Sequence, residues 1–193
     1  MRVIAGKYRS RVLKSLRGLK LRPTSDRLRE TLFNVIGSSI EGARFVDVYA
    51  GTGAVGIEAL SRGAAEVIFI EKHATAANLI RQNLDSLGIT SGATLLAVDA
   101  LRGLEMLQAW RQSEPGYAAE IIFLDPPYAE AKEYERALRF LGAAGLRAKD
   151  GRVIVEHGRD SNLPETLGNL HRIRLLRQGD AALSFYLWNS GVD

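Results

Sequence analysis

The chain has 193 residues, 46% of them hydrophobic and 25% charged, which is typical of one soluble globular domain with a proper core. It contains no cysteine, so disulfides and thiolate chemistry are excluded, and a reducing compartment such as the cytoplasm is the simplest expectation. No apolar run approaches the roughly 18 residues of a membrane span, and no secretory signal is visible at the N-terminus.

The net charge of +4 is unevenly distributed along the chain. Residues 1–29 carry a net charge of +9, whereas residues 30–193 carry a net charge of −5. A basic arm on a mildly acidic body favours a polyanionic partner such as a nucleic acid, with a solvated basic hairpin as the alternative. Aromatic and basic residues are interleaved in the arm, a mixture that suits base stacking and phosphate contact. The candidate nucleic-acid contacts are Lys7, Tyr8, Arg9, Arg11, Lys14 and Arg22.

The order of apolar and turn residues predicts the elements of the fold. Residues 2–5 and 10–14 predict a β-hairpin, and Thr24 or Ser25 can cap a helix from about Asp26 to Ile36. Apolar runs at 45–48, 67–70, 94–98, 121–124 and 153–155 then alternate with helix-like segments at about 54–62, 74–87, 100–111 and 131–144. This alternation predicts an α/β fold with a parallel sheet and helices on both faces. Residues 171–177 and 182–188 predict a closing antiparallel hairpin around Gly179.

A glycine-rich loop follows the first strand of the alternating region. Residues 51–56 read Gly-x-Gly-x-x-Gly, a dinucleotide-binding pattern, and Glu71 at the end of the next strand suits ribose hydroxyls. These residues alone are therefore compatible with an NAD-binding site. Asp47, however, stands where a pyrophosphate would meet a like charge, and it suits an ammonium group instead. Asp99, after the third strand, suits an adenine amino group, so the three acids together favour S-adenosylmethionine over NAD.

The buried strand predicted at 121–124 stops abruptly at Asp125-Pro126-Pro127-Tyr128. Two prolines fix a stiff turn at the carboxyl end of that strand, the edge at which open α/β sheets bind ligands. The Asp125 carboxylate, the Pro126 carbonyl and the Tyr128 ring suit a planar group with an exocyclic amine, which donates hydrogen bonds and stacks. A proline-rich loop that merely ends a strand is the alternative.

Taken together, these stretches resemble class I S-adenosylmethionine-dependent methyltransferases that methylate amino groups, and more narrowly the RsmD family of bacterial 16S rRNA guanine-N2 methyltransferases. The matching stretches are residues 2–6, 21–27, 29–34, 47–53, 58–64 and 124–128, and Tyr49 stands where we expect phenylalanine. The resemblance implies a Rossmann-like fold, with a seven-stranded, mostly parallel sheet closed by a C-terminal antiparallel hairpin. Residues 1–40 would form a basic RNA-binding extension of hairpin and helix, and residues 41–193 the methyltransferase domain.

The resemblance also implies an activity and a set of site residues. The methyl group would pass to the exocyclic N2 of a guanine in 16S rRNA, giving S-adenosylhomocysteine as the second product. The substrate would be an assembled or nearly assembled small subunit, with ribosomal proteins as further partners, and the enzyme would be a cytoplasmic monomer that requires no membrane and no metal. Asp125, Pro126 and Tyr128 would be catalytic, and the basic arm would contact the RNA. The cofactor-binding residues would be Asp47, Gly51, Thr52, Gly53, Glu71, Lys72, Asp99 and Ala100.

Three other functions stay open on the sequence. An adenine-N6 or protein-glutamine methyltransferase would use the same fold, although such enzymes more often carry asparagine first in the Asp-Pro-Pro-Tyr motif. An NAD-dependent oxidoreductase would have to treat Asp47 and that motif as accidents. A non-catalytic RNA-binding assembly factor would keep the basic arm but has no need for acids at positions 47, 71, 99 and 125.

Overall fold

The structure is a computed structural model that describes residues 1–15, 25–114, 116–127, 131–143 and 146–189. Two predicted site residues, Arg22 and Tyr128, lie outside the described residues. The chain divides into two compact units, residues 1–99 and 100–193. Within the described ranges, no helix is both long and apolar enough to cross a bilayer.

The first unit is built from alternating strands and helices. A parallel sheet with the strand order β3-β2-β1 forms its centre, and Val46 on β1 lies opposite Ile68 on β2. Strands β1 and β2 are buried along nearly their whole length, as parallel strands with helices packed against them are. The elements are α1 (Asp26–Ile36), β1 (Arg44–Val48), α2 (Ala54–Ser61), β2 (Glu66–Ile70), α3 (Ala74–Ser86) and β3 (Ala93–Leu96), with a short 3-10 helix at Gly37–Ile40 after α1.

Helix α1 confirms both the predicted bounds and the predicted cap. The Ser25 hydroxyl accepts a hydrogen bond from the Leu28 amide at 3.1 Å, which satisfies one of the free amides of the first turn. Its apolar face is buried, and the Phe33 ring stacks on Phe45 of β1 with the ring centroids 6.1 Å apart. The last helical residue is Ile36, as the pattern of apolar residues predicts.

The predicted N-terminal hairpin forms only in part. A single antiparallel bridge joins Arg2 to Val12, and no continuous strand develops on either side. The reason is that several backbone amides of the arm donate to α2 instead of across the hairpin. Ile4 and Ala5 donate to the Glu58 carboxylate, at 2.7 and 3.0 Å respectively. The arm is thus held on the surface of the first unit by side-chain acceptors.

The second unit contains two parallel strands followed by antiparallel ones. Its strand order is β4-β5-β8-β7-β6, in which β4 and β5 are parallel and the remaining pairs are antiparallel. Strand β5 is much longer than the three residues predicted for it, and β6 is a two-residue strand that was not predicted, so the described strands number eight and not the expected seven. The elements are α4 (Ala100–Ser113), β4 (Ala119–Leu124), α5 (Ala131–Ala143), β5 (Arg147–Gly158), β6 (Thr166–Leu167), β7 (Leu170–Gln178) and β8 (Ala181–Trp188).

These elements confirm the predicted α/β class and its closing hairpin. The hairpin of β7 and β8 turns at Gly179, which has the φ of +61° that a tight turn requires. Phe123 on β4 and Tyr186 on β8 are fully buried in the core of the second unit. His157 on β5 is also buried, and its Nε2 lies 2.8 Å from the Ser184 hydroxyl oxygen. Burial lowers the pKa of His157, so this residue is a neutral, hydrogen-bonded core histidine.

Candidate active site

The glycine loop joins β1 to α2 through three residues in the left-handed region. Tyr49 has φ of +66°, Gly51 +54° and Gly53 +76°. Only glycine adopts this conformation cheaply, so Tyr49 stores backbone strain, a feature that clusters at ligand-binding loops. Among the described residues, a Cβ added at Gly51 would meet only the Tyr49 carbonyl oxygen, 3.9 Å away. The backbone at Gly51 is therefore open to close approach by a ligand.

Asp47 and Gly56 fix the start of α2 against the sheet. Asp47 is 2% exposed, and its Oδ2 accepts a hydrogen bond from the Gly56 amide at 2.8 Å. A Cβ at Gly56 would stand 2.3 Å from a ring carbon of Phe69 on β2. The third glycine of the Gly-x-Gly-x-x-Gly pattern is thus explained by helix-to-sheet packing and requires no dinucleotide.

Glu71 ties the glycine loop to the end of β2. One of its carboxylate oxygens accepts from the Gly51 amide at 2.9 Å and the other from the His73 amide at 2.7 Å, and the side chain is buried. Each carboxylate oxygen has a further lone pair with which it can accept a ligand hydroxyl. Lys72 and Asp99 are exposed, and Ala100 begins α4 in the second unit. The structure thus brings two of the predicted cofactor residues of the first unit, Glu71 and Gly51, into direct hydrogen-bond contact.

The basic residues of the arm point outward, while its backbone contacts α2 and α3. Lys7, Arg9, Arg11 and Lys14 are exposed, and Tyr8 is half-buried with the Lys7 ammonium 5.3 Å from its ring centroid. The amides of Lys7 and Tyr8 donate to the backbone and hydroxyl oxygens of Ser61. The described part of the arm therefore presents a row of cations on a fixed backbone.

Glu58 is the centre of a buried charge network that was not predicted from the sequence. Its carboxylate is fully buried, accepts from the Arg62 Nε at 2.7 Å, and lies 3.7 Å from the Arg29 Nε. Arg29 is also fully buried, and burial lowers its pKa while the charges of Glu58 and Asp26 oppose that shift. Arg29 in turn donates to the Arg2 carbonyl of the arm at 2.6 Å. A charged residue inside the apolar helix α2 was the available signal for this network.

In the second unit, the turn after β4 carries the predicted acceptor groups. Asp125 is half-buried and Pro126 is buried. The Pro126 carbonyl accepts a hydrogen bond from the Tyr134 hydroxyl of α5 at 3.1 Å. Burial, together with the negative charges of Asp125 and Glu156, raises the pKa of Tyr134, so its hydroxyl keeps its proton and remains a donor. Tyr134 was not predicted as a site residue, because its only signal in the sequence is a polar tip on the buried face of a helix.

The predicted absence of a metal site stays a prediction. Across the described residues, no three histidine, aspartate or glutamate side chains come together as a metal-binding group.

Comparisons with known proteins agree with this architecture. A family model described as conserved hypothetical protein 95 matches residues 1–187. A Bacillus subtilis protein provisionally named as the rRNA methyltransferase YlbH is 38% identical over 186 residues, which cover 96% of this chain and 98% of that protein. The Escherichia coli protein named Ribosomal RNA small subunit methyltransferase D is 33% identical over 180 residues, covering 92% of this chain and 86% of the relative.

Solved structures extend the similarity to the fold. An Escherichia coli structure provisionally assigned as the methyltransferase yhhF is 32% identical, with a TM-score of 0.82 and coverage of 99% of both chains. At 14% identity and a TM-score of 0.57, the SAM-dependent methyltransferase of Agrobacterium tumefaciens shares the fold over 84% of this chain and 61% of its own. The Rossmann-like methyltransferase fold predicted from the sequence is thus confirmed, and the chain belongs to the RsmD family.

Proposed function

We propose that this protein transfers a methyl group from S-adenosylmethionine to the exocyclic N2 of a guanine in 16S rRNA, within an assembled or nearly assembled small subunit. One observation carries the proposal: the turn after β4 offers the Asp125 carboxylate next to a Pro126 carbonyl that Tyr134 holds by a hydrogen bond. Two neighbouring acceptors suit a nitrogen that donates two hydrogen bonds. The printed name of the Escherichia coli relative supports small-subunit rRNA as the substrate.

The residues around the glycine loop fit S-adenosylmethionine. Its amino acid end would lie against the open backbone of the loop near Asp47, and its ribose hydroxyls would donate to Glu71. Asp99 and the Ala100 amide would bind the adenine. When bound, the cofactor would supply an electrophilic methyl group and leave as S-adenosylhomocysteine. The full set of proposed cofactor-binding residues is Asp47, Gly51, Thr52, Gly53, Glu71, Lys72, Asp99 and Ala100.

Asp125 and Pro126 would activate the acceptor amine. The N2 of guanine is a poor nucleophile because its lone pair is delocalised into the ring. Two acceptors on its hydrogens would turn the lone pair towards the methyl group, and the carboxylate would stabilise positive charge on the nitrogen, an effect commonly worth about 3–4 kcal/mol. As the N–C bond forms and the S–C bond to the methyl group breaks, N2 would release one proton to solvent. Tyr128 would stack on the base, which has to leave its helix to reach the site, for a further ~1–3 kcal/mol.

Tyr134 would then act as a positioning residue for the Pro126 carbonyl. In a Tyr134→Phe variant the turn loses the hydrogen bond that orients this acceptor, while the ring still fills its buried place on α5. We expect kcat for methyl transfer to fall by about three- to tenfold, the equivalent of one hydrogen bond, with an unchanged affinity for S-adenosylhomocysteine.

Tyr186→Phe is the matched control for this variant. Tyr186 is another buried tyrosine of the second unit, and its hydroxyl donates to the Pro164 carbonyl at 2.8 Å, outside the turn after β4. Both variants lose one hydroxyl, so both should lose similar stability, but only Tyr134→Phe should lose turnover. Equal kcat values in the two variants would contradict a positioning role for Tyr134.

The exposed cations of the arm would bind the RNA backbone. Replacing Arg9, Arg11 and Lys14 with glutamine should weaken RNA binding and reduce the slope of log affinity against log salt by about two, because fewer counterions are released. Binding titrations at several salt concentrations measure this slope. A control with the same change in charge replaces Arg102, Arg136 and Arg139, exposed arginines on the helices of the second unit. If the arm variant had the same salt slope as the parent, these three residues would not be part of the RNA interface.

The proposed function also implies a domain organisation, an oligomeric state and a cellular compartment. We propose that residues 1–40 serve as the RNA-binding extension, with Lys7, Tyr8, Arg9, Arg11, Lys14 and Arg22 as its contacts, and that residues 41–193 carry the methyltransferase activity. The enzyme would act as a monomer in the cytoplasm. Because so short an arm reads little sequence, the folded shape of the rRNA and ribosomal proteins would supply part of the specificity.

Transfer of a labelled methyl group from S-adenosylmethionine tests the proposal directly. The acceptors are small subunits that lack the modification, naked small-subunit rRNA, and DNA, and the product is digested to nucleosides. N2-methylguanine formed on the subunit supports the proposal in full. Label on adenine would show that the protein is an adenine-N6 methyltransferase. If the cofactor binds but no methyl group is transferred, the acceptor is a different molecule.

A further inference from the structure

One polar side chain lies on the buried face of α3. Six residues of this helix are buried, and five of them are apolar: Ala76, Ala77, Leu79, Ile80 and Leu84. The sixth is Asn83, which is fully buried. An amide in such a place is costly unless each of its polar atoms has a partner, so its hydrogen bonds indicate why it is there.

Asn83 joins the arm to the glycine loop. Its Oδ1 accepts from the Lys14 amide at 2.8 Å, and its Nδ2 donates to the carbonyl oxygens of Lys14 at 3.3 Å and Thr52 at 3.1 Å. The chemistry of the partners fixes the orientation of the side chain, because a backbone amide can only donate and a carbonyl can only accept. A single buried side chain therefore bonds to the backbone of a proposed RNA-binding residue and to that of a proposed cofactor-binding residue.

The rest of the arm is held independently of Asn83. The first half, from Ile4 to Tyr8, is held by Glu58 and Ser61 on α2. The second half has, besides Asn83, two contacts to α3 on the exposed surface, from Arg11 to the Ser86 carbonyl and from Lys14 to Gln82. Loss of Asn83 would thus leave the arm attached through α2, through these two contacts and through the backbone bond from the Leu13 amide to the Met1 carbonyl, but Lys14 and Thr52 would lose their direct link through one side chain.

We propose that Asn83 is a positioning residue that couples RNA binding at the arm to cofactor binding at the glycine loop. The inference rests on the proposed function. A ligand that orders the Thr52 carbonyl also orders Asn83, and through it the Lys14 backbone, so the second ligand finds its site already arranged. By thermodynamic linkage, each ligand then raises the affinity for the other by the same factor.

Two variants of Asn83 and one matched control test the coupling. The affinity for S-adenosylhomocysteine is measured with and without small subunits that lack the modification, and the affinity for the subunits with and without S-adenosylhomocysteine. In the parent we expect a mutual gain on the order of tenfold, within the usual range of coupling between sites. Asn83→Ala removes all three bonds, and Asn83→Asp keeps only the acceptor for the Lys14 amide. Both should reduce the gain to near one, whereas Asn78→Ala, an exposed asparagine on the same helix, should keep it.

The outcomes separate this inference from the proposed function. A parent that binds no S-adenosylhomocysteine and transfers no methyl group overturns both. A parent that methylates its substrate but shows no mutual gain, or folded Asn83 variants that retain the gain, overturns the coupling alone.

A measurement on the parent protein does not depend on whether the variants fold. Hydrogen exchange of the Lys14 amide reports whether its bond to Asn83 is kept closed. We expect S-adenosylhomocysteine to slow this exchange severalfold, although the ligand itself would bind at the loop. An unchanged exchange rate at saturating S-adenosylhomocysteine would overturn the proposal.

Discussion

Replacing Asp125 with alanine is expected to lower kcat for methyl transfer by about 10²- to 10³-fold, the loss typical of removing one well-placed group that stabilises a developing charge. Asp125 lies directly after β4, half-buried, and its negative charge contributes to the raised pKa of Tyr134. Its carboxylate is thus close to the hydroxyl that holds the Pro126 carbonyl. Removal of this charge leaves only one of the two proposed acceptors for the amine.

The measurement separates chemistry from binding. Single-turnover methyl transfer should collapse in Asp125→Ala, while the affinities for S-adenosylhomocysteine and for the small subunit stay within about twofold of the parent. Asp125→Asn keeps the shape of the side chain and one acceptor oxygen but loses the charge, so its rate of methyl transfer should lie between those of the parent and Asp125→Ala. Asp160→Ala, an exposed aspartate of the same unit, controls for a general loss of charge. Turnover that survives in Asp125→Ala would remove this residue from the mechanism.

Local sequence signals predicted the parts of the fold that depend on neighbouring residues. Ser25 caps α1 because its hydroxyl reaches the amide three residues on, a contact that any chain with this spacing can make. The strands β1 and β2 follow from apolar runs, interrupted in β1 only by Asp47, and the turn at Gly179 follows from a residue that tolerates a positive φ. The acids at 47 and 71 were found from their place at strand ends, although their roles toward a ligand stay predictions.

Contacts between distant residues could not be read in the same way. The pattern of residues 2–14 predicts a hairpin, but the amides of Ile4 and Ala5 donate to the buried carboxylate of Glu58, more than fifty residues away in the sequence. Asn83 and Tyr134 each occupy a helix face that otherwise reads as core, and only the folded chain shows what their polar atoms bond to. The same holds for β6, a strand too short to leave a pattern.

Glu58→Gln should produce the largest loss of stability among single changes in the first unit. The variant leaves the fully buried guanidinium of Arg29 without its main counter-charge, because the remaining partner, Asp26, is half exposed. It also replaces one of the two accepting oxygens with an amide donor, which would face either the Ile4 amide or the pair formed by the Ala5 amide and the Arg62 Nε, all of which donate. Breaking one side of a buried ion pair typically costs ~3–5 kcal/mol, which for a chain of this size lowers the melting temperature by about 10 °C or more.

Thermal and urea unfolding measure this loss, with Glu105→Gln as the control. Glu105 pairs with Arg102 at 3.3 Å on the exposed surface of α4, where an ion pair contributes less than about 1 kcal/mol. A double variant, Glu58→Gln with Arg29→Met, should recover part of the stability, since it removes the buried charge that the single variant leaves unpaired. If Glu58→Gln were as stable as Glu105→Gln, Glu58 would not be what holds Arg29 and the arm in place. If the destabilised Glu58→Gln variant still binds RNA at low temperature with the parental salt slope, RNA binding depends on the charge of the arm and does not require its docking through Glu58.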